Sequence, residues 1–200
     1  MPLDEQNIDT DVPNSAPVVK QPHKRRRVVI EWALILIIAA VVSLLIRTFV
    51  FQTFFIPSDS MNPTLWKGDR IIVNKLAIEF GTVHIGDIVV FKAPPDVAAD
   101  CNDAVTDLVK RVIGLPGDRL YSKGNTIYVN GKPLDQKWTV WPNLGGTPIT
   151  PTTVPPGHYF MMGDYHANSC DSRTWGTVPR SDLIGKVFVR IWPLTSIKWF

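Results

Sequence analysis

The sequence is poor in cysteine and histidine, which commonly bind metals, and it carries little net charge. Its 200 residues include two cysteines and four histidines, and the separation of Cys101 from Cys170 fits no zinc-binding pattern. The net charge is +3, and no basic patch is interleaved with aromatic residues, so a nucleic-acid partner is not indicated. After residue 50 no long apolar pattern of helical period occurs, which argues against a helical domain in that part of the chain.

The most distinctive feature of the sequence is a long apolar run near the N-terminus. Glu31 is the only charged residue between positions 28 and 46, and a helix of that length spans roughly 28 Å, close to the hydrocarbon thickness of a bilayer. A cleaved signal peptide is the rival interpretation, but the run is long for one and is followed by Arg47 rather than by a small-residue cleavage site. We therefore expect a retained transmembrane anchor at residues 28–48.

Basic residues lie immediately before this run, where residues 24–27 are Lys-Arg-Arg-Arg. The positive-inside rule then predicts a single-pass protein of the cell (plasma) membrane with a cytoplasmic N-terminus and lipid-bilayer contacts. Residues 1–27 contain several prolines and few apolar residues, so we expect a disordered cytoplasmic tail. Residues 49–200 are predicted to be extracytoplasmic.

Short β-rich runs dominate the outer part and predict an all-β, mainly antiparallel domain with a folded or barrel-like sheet. Gly-Asp pairs, which favour turns, separate many of these runs. Asn130-Gly131 predicts a type I′ hairpin, and an irregular excursion is expected around residues 121–157. The predicted strands are Arg70–Leu76, Ile88–Lys92, Leu108–Gly114, Thr126–Val129, His158–Met162 and Lys186–Trp192.

Two serines follow the anchor closely, at Ser58 and Ser60, and a serine nucleophile needs a base within hydrogen-bond reach. His23 lies on the cytoplasmic side of the anchor, and the other histidines carry no triad-type local motif. His166, with Asp164 or Asp171 as its partner, nevertheless stays open as a base.

A lysine is the alternative base, since burial among apolar groups disfavours its charged form. Lys110 lies in an apolar strand, where alternation places it on the same face as Leu108 and Val112. A lone lysine in a strand is more commonly a solvated side chain, so this position alone decides nothing.

Four sequence blocks, in order, resemble the type I signal peptidases, membrane-bound serine proteases that cut secretory signal peptides. They are Ser60–Leu65 (SMNPTL), Gly86–Phe91 (GDIVVF), Lys110–Asp118 (KRVIGLPGD) and Gly163–Gly176 (GDYHANSCDSRTWG). The blocks span nearly the whole outer part and follow a suitable anchor. The resemblance implies a signal peptidase/SOS-repressor protease-like catalytic domain and a Ser-Lys dyad.

The resemblance also implies a role for individual residues. Ser60 would be the nucleophile, Lys110 the general base, and Ser58 an oxyanion donor beside the Ser60 backbone N–H. Ser169 would orient the lysine. The supporting residues would be Asp171, Arg173, Asp164 and Arg111.

The implied substrate is a secretory signal peptide bound as an added strand, with small residues at positions −1 and −3. No metal or organic cofactor is implied, and a monomer is expected. The residues implied to line the substrate pocket are Phe54, Ile56, Met61, Leu65, Leu108 and Val109.

Some positions depart from the family pattern. Asp59 replaces a common glycine between the two serines, residues 165–167 replace a usual Asn-Arg-Asp, and Cys170 replaces a small residue. A Cys101–Cys170 bridge and two free thiols both stay open at this point. Two rival functions are a self-cleaving regulator of the SOS-repressor type and a catalytically silent, membrane-tethered module that binds secretory peptides.

Overall fold

The structure is a computed structural model that describes residues 23–95, 101, 105–139, 145 and 147–200. The disorder expected at residues 1–22 lies outside the described residues. Two compact units are formed, Met1–Val42 and Ser43–Phe200. The first helix, α1 (His23–Phe49), begins within the predicted tail, because lysine and arginine are good helix formers and extend the apolar segment.

Helix α1 carries the apolar run. Its Arg26–Phe49 segment has a mean hydropathy of 2.8, and its large apolar side chains are exposed. By length and composition this helix can cross a membrane.

The second unit is built mainly of short antiparallel strands. Its helices whose full extent lies within the described residues are α2 (Leu76–Glu79) and α3 (Ser172–Trp175), and 3-10 turns lie at His166–Asn168, Arg180–Asp182 and Leu194–Ser196. The strands are β1 (Phe51–Phe55), β2 (Arg70–Asn74), β3 (Ile88–Lys92), β4 (Asp107–Gly114), β5 (Arg119–Lys123), β6 (Thr126–Val129), β7 (Lys132–Pro133), β8 (Thr152–Thr153), β9 (His158–Met162), β10 (Val178–Pro179), β11 (Leu183–Trp192) and β12 (Lys198–Trp199).

The larger sheet has eight strands within the described chain, in the order β1-β2-β11-β3-β4-β9-β10, with β12 paired to β11. All of its strand pairs are antiparallel. The sheet curls into a half-barrel, so that β1 and the first half of β4 line one common cavity. The predicted all-β, mainly antiparallel fold is therefore confirmed.

A second sheet, in the order β7-β6-β5-β8, projects from the chain between β4 and β9. Its hairpin turns at Asn130 and Gly131, whose φ angles of 53° and 79° are both positive, as a type I′ turn requires. The predicted hairpin is thus confirmed.

Alternation and burial explain where the core lies. Strand β11 buries Leu183, Val187 and Val189 on one face while Lys186 and Arg190 point away from it, the period-2 pattern of a half-buried strand. Strand β3 is buried at four consecutive positions because sheet packing covers both of its faces. One core cluster contains Ile56, Met61 and Leu65, which brackets both serines of the proposed nucleophile segment.

Candidate active site

Ser60 and Lys110 meet although fifty residues separate them in the chain. Ser60 lies in the turn that follows β1, and Lys110 lies in the middle of β4, with only 3% of its surface exposed. Lys110 Nζ donates to Ser60 Oγ at 2.8 Å and to Ser169 Oγ at 3.0 Å. A serine hydroxyl and a buried amine are therefore within proton-transfer distance of each other.

The turn that carries Ser60 is fixed by its own backbone and by the core. Asn62 N donates to Asp59 O at 3.0 Å, and Leu65 N donates to Met61 O at 2.9 Å. The Met61 and Leu65 side chains are 1% and 0% exposed. Because the apolar residues on the C-terminal side of Ser60 anchor the turn, the serine hydroxyl is held at the surface of the core.

Ser58 lies beside the same hydroxyl. Its Oγ is 3.4 Å from Ser60 Oγ, and either atom can be the donor. A second hydroxyl at this distance can also donate to charge that develops on an atom bound to Ser60.

The loop after β9 supplies Ser169 and contacts the turn of Ser60 directly. Tyr165 N donates to Ser60 O at 3.0 Å. A Cβ added at Gly163 would collide with Ser60 O and Ser169 Oγ, so the two segments approach each other as closely as backbone allows. Glycine is needed here for close approach, not for its φ angle.

Two buried arginine–aspartate pairs brace this loop. Arg111 Nε and Nη2 donate to the two carboxylate oxygens of Asp164 at 2.8 and 2.7 Å. Arg173 Nε and Nη2 donate to the Asp171 carboxylate in the same two-point manner, both at 2.8 Å. Two-point contacts of this kind fix orientation as well as charge. Arg111 follows Lys110 directly on β4, and Asp171 lies two residues after Ser169 on the loop.

The Arg173 pair also shapes the backbone around Ser169. Arg173 Nη2 donates to His166 O at 2.7 Å and to Ser169 O at 3.2 Å. His166, the alternative candidate for the base, is 1% exposed and is therefore enclosed in the loop. Lys110 is the base candidate that the structure places on Ser60 Oγ.

Trp138 and Thr139 lie in the segment that follows β7 and extend the bracing, and the sequence alone does not predict them. The Arg111 guanidinium lies 4.8 Å from the centre of the Trp138 ring, and Thr139 Oγ1 donates to Asp164 O at 2.7 Å. A tryptophan followed by a threonine carries no distinguishing pattern, so only the spatial contact identifies them.

A small cavity adjoins Ser60 on the side of β1. It has a volume of about 40 Å³, which suits a small side chain. Five of the six predicted pocket residues line it: Phe54, Ile56, Met61, Leu108 and Val109. Leu65 does not line the cavity, because its side chain turns inward and is wholly buried in the core.

A disulfide joins Cys101 to Cys170, whose Cα atoms are 5.9 Å apart. Cys170 follows Ser169 directly, so the bridge ties the connection between β3 and β4 to the loop that carries Ser169. This resolves the alternative left open by the sequence.

A serine peptidase needs a hydroxyl that an adjacent base can activate and a donor for the oxyanion. Here a hydroxyl contacts a buried amine, a second hydroxyl lies beside it, and a small apolar cavity adjoins both. Residues 29–192 match the family described as signal peptidase, peptidase S26. The chain belongs to this signal peptidase family.

Relatives from several bacteria support the assignment. The chain is 40% identical over 164 residues to a probable signal peptidase I-2 of Synechocystis sp., covering 81% of this chain and 72% of the relative. It is 37% identical over 186 residues to signal peptidase I of Leptolyngbya laminosa, covering 92% and 90%. Signal peptidase I of Bacillus caldolyticus is 38% identical over 188 residues, covering 88% and 96%.

A solved signal peptidase I from Enterococcus faecalis V583 aligns with a TM-score of 0.39 at 25% identity, covering 52% of this chain and 96% of that chain.

Proposed function

We propose that this chain is a membrane-anchored serine endopeptidase that removes signal peptides from secreted preproteins after small residues at −1 and −3. The contact of 2.8 Å between Lys110 Nζ and Ser60 Oγ, inside the region matched by the peptidase family, carries the proposal. The relatives named signal peptidase I supply the substrate class.

The reaction begins with proton transfer within the dyad. Neutral Lys110 takes the proton of Ser60 Oγ, and the oxygen attacks the carbonyl carbon of the −1 residue. The tetrahedral oxyanion accepts hydrogen bonds from the Ser60 backbone N–H and the Ser58 hydroxyl. Each such donor is worth about 10²–10³ in rate because it meets charge that develops only in the transition state.

Collapse of this intermediate breaks the peptide bond. Lys110 returns its proton to the leaving amine, and an ester between Ser60 and the signal peptide remains. Neutral Lys110 then takes a proton from water, whose oxygen attacks the ester and releases the carboxylate of the signal peptide. The proton returns to Ser60, and no metal or organic cofactor is required.

Ser169 and the two arginine–aspartate pairs position the dyad. Ser169 Oγ accepts from Lys110 Nζ, which directs the amine toward Ser60. The Arg173–Asp171 pair holds the Ser169 backbone, while the Arg111–Asp164 pair joins β4 to Gly163. These residues act through geometry rather than by touching the substrate.

The substrate adds as a strand between β1 and β4. Strand β1 pairs with β2 alone, and residues 107–110 of β4 pair with β3 alone among the described strands, so both present backbone groups toward the cavity between them. Main-chain hydrogen bonds hold the extended signal peptide. The cavity of about 40 Å³ admits alanine-sized side chains at −1 and −3.

The anchor places this chemistry at the plasma membrane. Helix α1, with basic residues at its N-terminal end, fits a tail on the cytoplasmic side and an extracytoplasmic catalytic domain over residues 49–200. The residues of the dyad and cavity come from one chain, so a monomer in contact with the bilayer is sufficient for activity. The second sheet forms an excursion from that domain.

The test is cleavage of a preprotein by the detergent-solubilised full-length chain, with the product identified by N-terminal sequencing. Ser60→Ala and Lys110→Ala are expected to lose at least about 10³-fold in rate. Ser181→Ala and Lys123→Ala serve as matched controls, since both residues are exposed and distant in the chain. An inactive wild type would favour a peptide-binding module, and loss of activity in His166→Ala but not Lys110→Ala would reject the dyad.

A further inference from the structure

A second cavity adjoins Ser60 and is much larger than the first. Its volume is about 440 Å³, against about 40 Å³ for the apolar cavity beside β1. The two cavities share Ser58, Ser60 and Leu108. Only the larger one is lined by Lys110 and Ser169, and the Cys101–Cys170 bridge contributes to its wall.

The position of Lys110 determines which part of a substrate enters this larger cavity. The group that takes the proton from Ser60 must later give it to the leaving amine, which belongs to the first residue after the cleaved bond. That nitrogen must therefore lie beside Lys110 Nζ. With the small −1 side chain in the apolar cavity, the chain continues past Ser60 into the cavity that Lys110 lines.

Asp59 gives this cavity its charge. It is the only acidic residue among the described lining residues, and it is partly exposed. One of its oxygens accepts from Asn62 Nδ2 at 3.3 Å, which holds the carboxylate in place. Lys110 is the other charged residue there, and it must be neutral when it accepts the Ser60 proton.

We propose that the cavity of Asp59, Lys110 and the Cys101–Cys170 bridge binds the first two residues of the mature protein, and that Asp59 selects basic over acidic side chains there. This inference rests on the proposed function and adds a substrate preference on the side of the cleaved bond that the −1 and −3 rule does not describe. The carboxylate attracts an ammonium or guanidinium group and repels a carboxylate.

The test uses three peptides with one signal-peptide half and Lys-Lys, Gln-Gln or Asp-Asp after the cleaved bond. The detergent-solubilised full-length chain at low salt should cleave the Lys-Lys peptide with a kcat/KM about three- to tenfold above that for Asp-Asp, with Gln-Gln between them. The ratio should approach one at about 1 M salt, because screening weakens charge interactions at a partly exposed site.

Substitutions at Asp59 test whether this residue causes the preference for basic side chains. Asp59→Asn keeps an oxygen that can accept from Asn62 and should bring the Lys-Lys to Asp-Asp ratio close to one, and Asp59→Lys should invert it. Asp135→Asn removes the same charge from an exposed ion pair outside the cavity and should leave the ratio unchanged.

The outcomes separate this inference from the proposed function. A wild type that cleaves none of the peptides, nor a preprotein, contradicts the peptidase assignment itself. A wild type that cleaves all three equally at low salt overturns the inference alone, as does an unchanged ratio in Asp59→Asn. If that variant does not fold, the salt dependence of the wild-type ratio still decides the question.

Discussion

Gly68-Asp69, Gly86-Asp87 and Gly117-Asp118 are built alike, whereas Gly163-Asp164 is built differently. In the first three pairs the glycine has a φ angle of 96°, 97° or 89°. The aspartate carboxylate accepts from the backbone N–H three residues earlier, at Trp66, His84 and Leu115 respectively. These three pairs are turns that reverse the chain between strands, and Asp69 and Asp87 additionally form ion pairs with Arg190 and Lys186 of β11.

The fourth pair uses the same two residues for contacts with distant parts of the chain. Gly163 packs against Ser60 and Ser169, and Asp164 binds Arg111 with both carboxylate oxygens. Asp164 is wholly buried. The same dipeptide thus serves as a turn where the carboxylate accepts from a backbone N–H three residues earlier, and as a site component where the glycine packs against Ser60 and Ser169.

Asp164→Asn should produce the largest effect, a loss of roughly 3–5 kcal/mol in the free energy of unfolding. The substitution leaves the Arg111 guanidinium buried without its carboxylate, and an uncompensated buried charge costs about that much. Urea unfolding of the detergent-solubilised chain, followed by tryptophan fluorescence, measures the change. Asp118→Asn is the matched control, expected to cost about 1 kcal/mol. Equal costs at the two positions would contradict the distinction.

The loop of the fourth pair is also tied covalently, and the three turns are not. Replacing Cys101 and Cys170 together by serine should lower the free energy of unfolding by roughly 2–4 kcal/mol, because the bridge closes a long loop in the unfolded chain. The same urea experiment measures it, with Ser181→Ala as a surface control. If the double variant is as stable as the wild type, the bridge does not hold this loop.

Gly163→Ala should reduce kcat about 100-fold, equivalent to about 2.7 kcal/mol, with a folded protein. The added methyl group would push Ser60 and Ser169 apart, and a displacement of about 1 Å at a reacting group is enough for this loss. Preprotein cleavage under saturating substrate gives kcat, and far-ultraviolet circular dichroism monitors the fold. A variant with wild-type kcat would show that the backbone approach does not set the dyad geometry.

The local sequence pattern predicts where the strands lie better than it predicts which strands pair with each other. The runs at β3, β6 and β9 were located at their observed bounds, because alternation and turn residues are encoded locally. Among the described strands longer than two residues, β1 and β5 are not predicted. Strand β1 contains three phenylalanines in five residues, which hides the alternation. The pairing of β2 with β11 joins residues more than a hundred positions apart, and no local signal specifies it.

The features of the site likewise divide into those that local sequence predicts and those that depend on tertiary packing. Alternation placed Lys110 on a strand face but could not distinguish a buried base from a solvated lysine; the family resemblance supplied that assignment. The family resemblance implies that Arg111 and Asp164 are supporting residues but does not predict their two-point pairing. The contact of Trp138 with Arg111 and the choice between bridged and free cysteines both depend on tertiary packing.

Gly117→Ala should have the smallest effect, about 1 kcal/mol in the free energy of unfolding and no change in kcat. A Cβ at Gly117 would meet nothing within 4 Å, so the cost is only the strain of a φ angle of 89° for a residue with a side chain. Gly68→Ala, with a φ angle of 96° and equally open surroundings, is the matched variant. The two should shift the urea midpoint alike while preprotein cleavage stays at the wild-type rate. A 100-fold loss in kcat in either one would mean that the turns also transmit geometry to Ser60, and the contrast with Gly163 would then be one of degree rather than of kind.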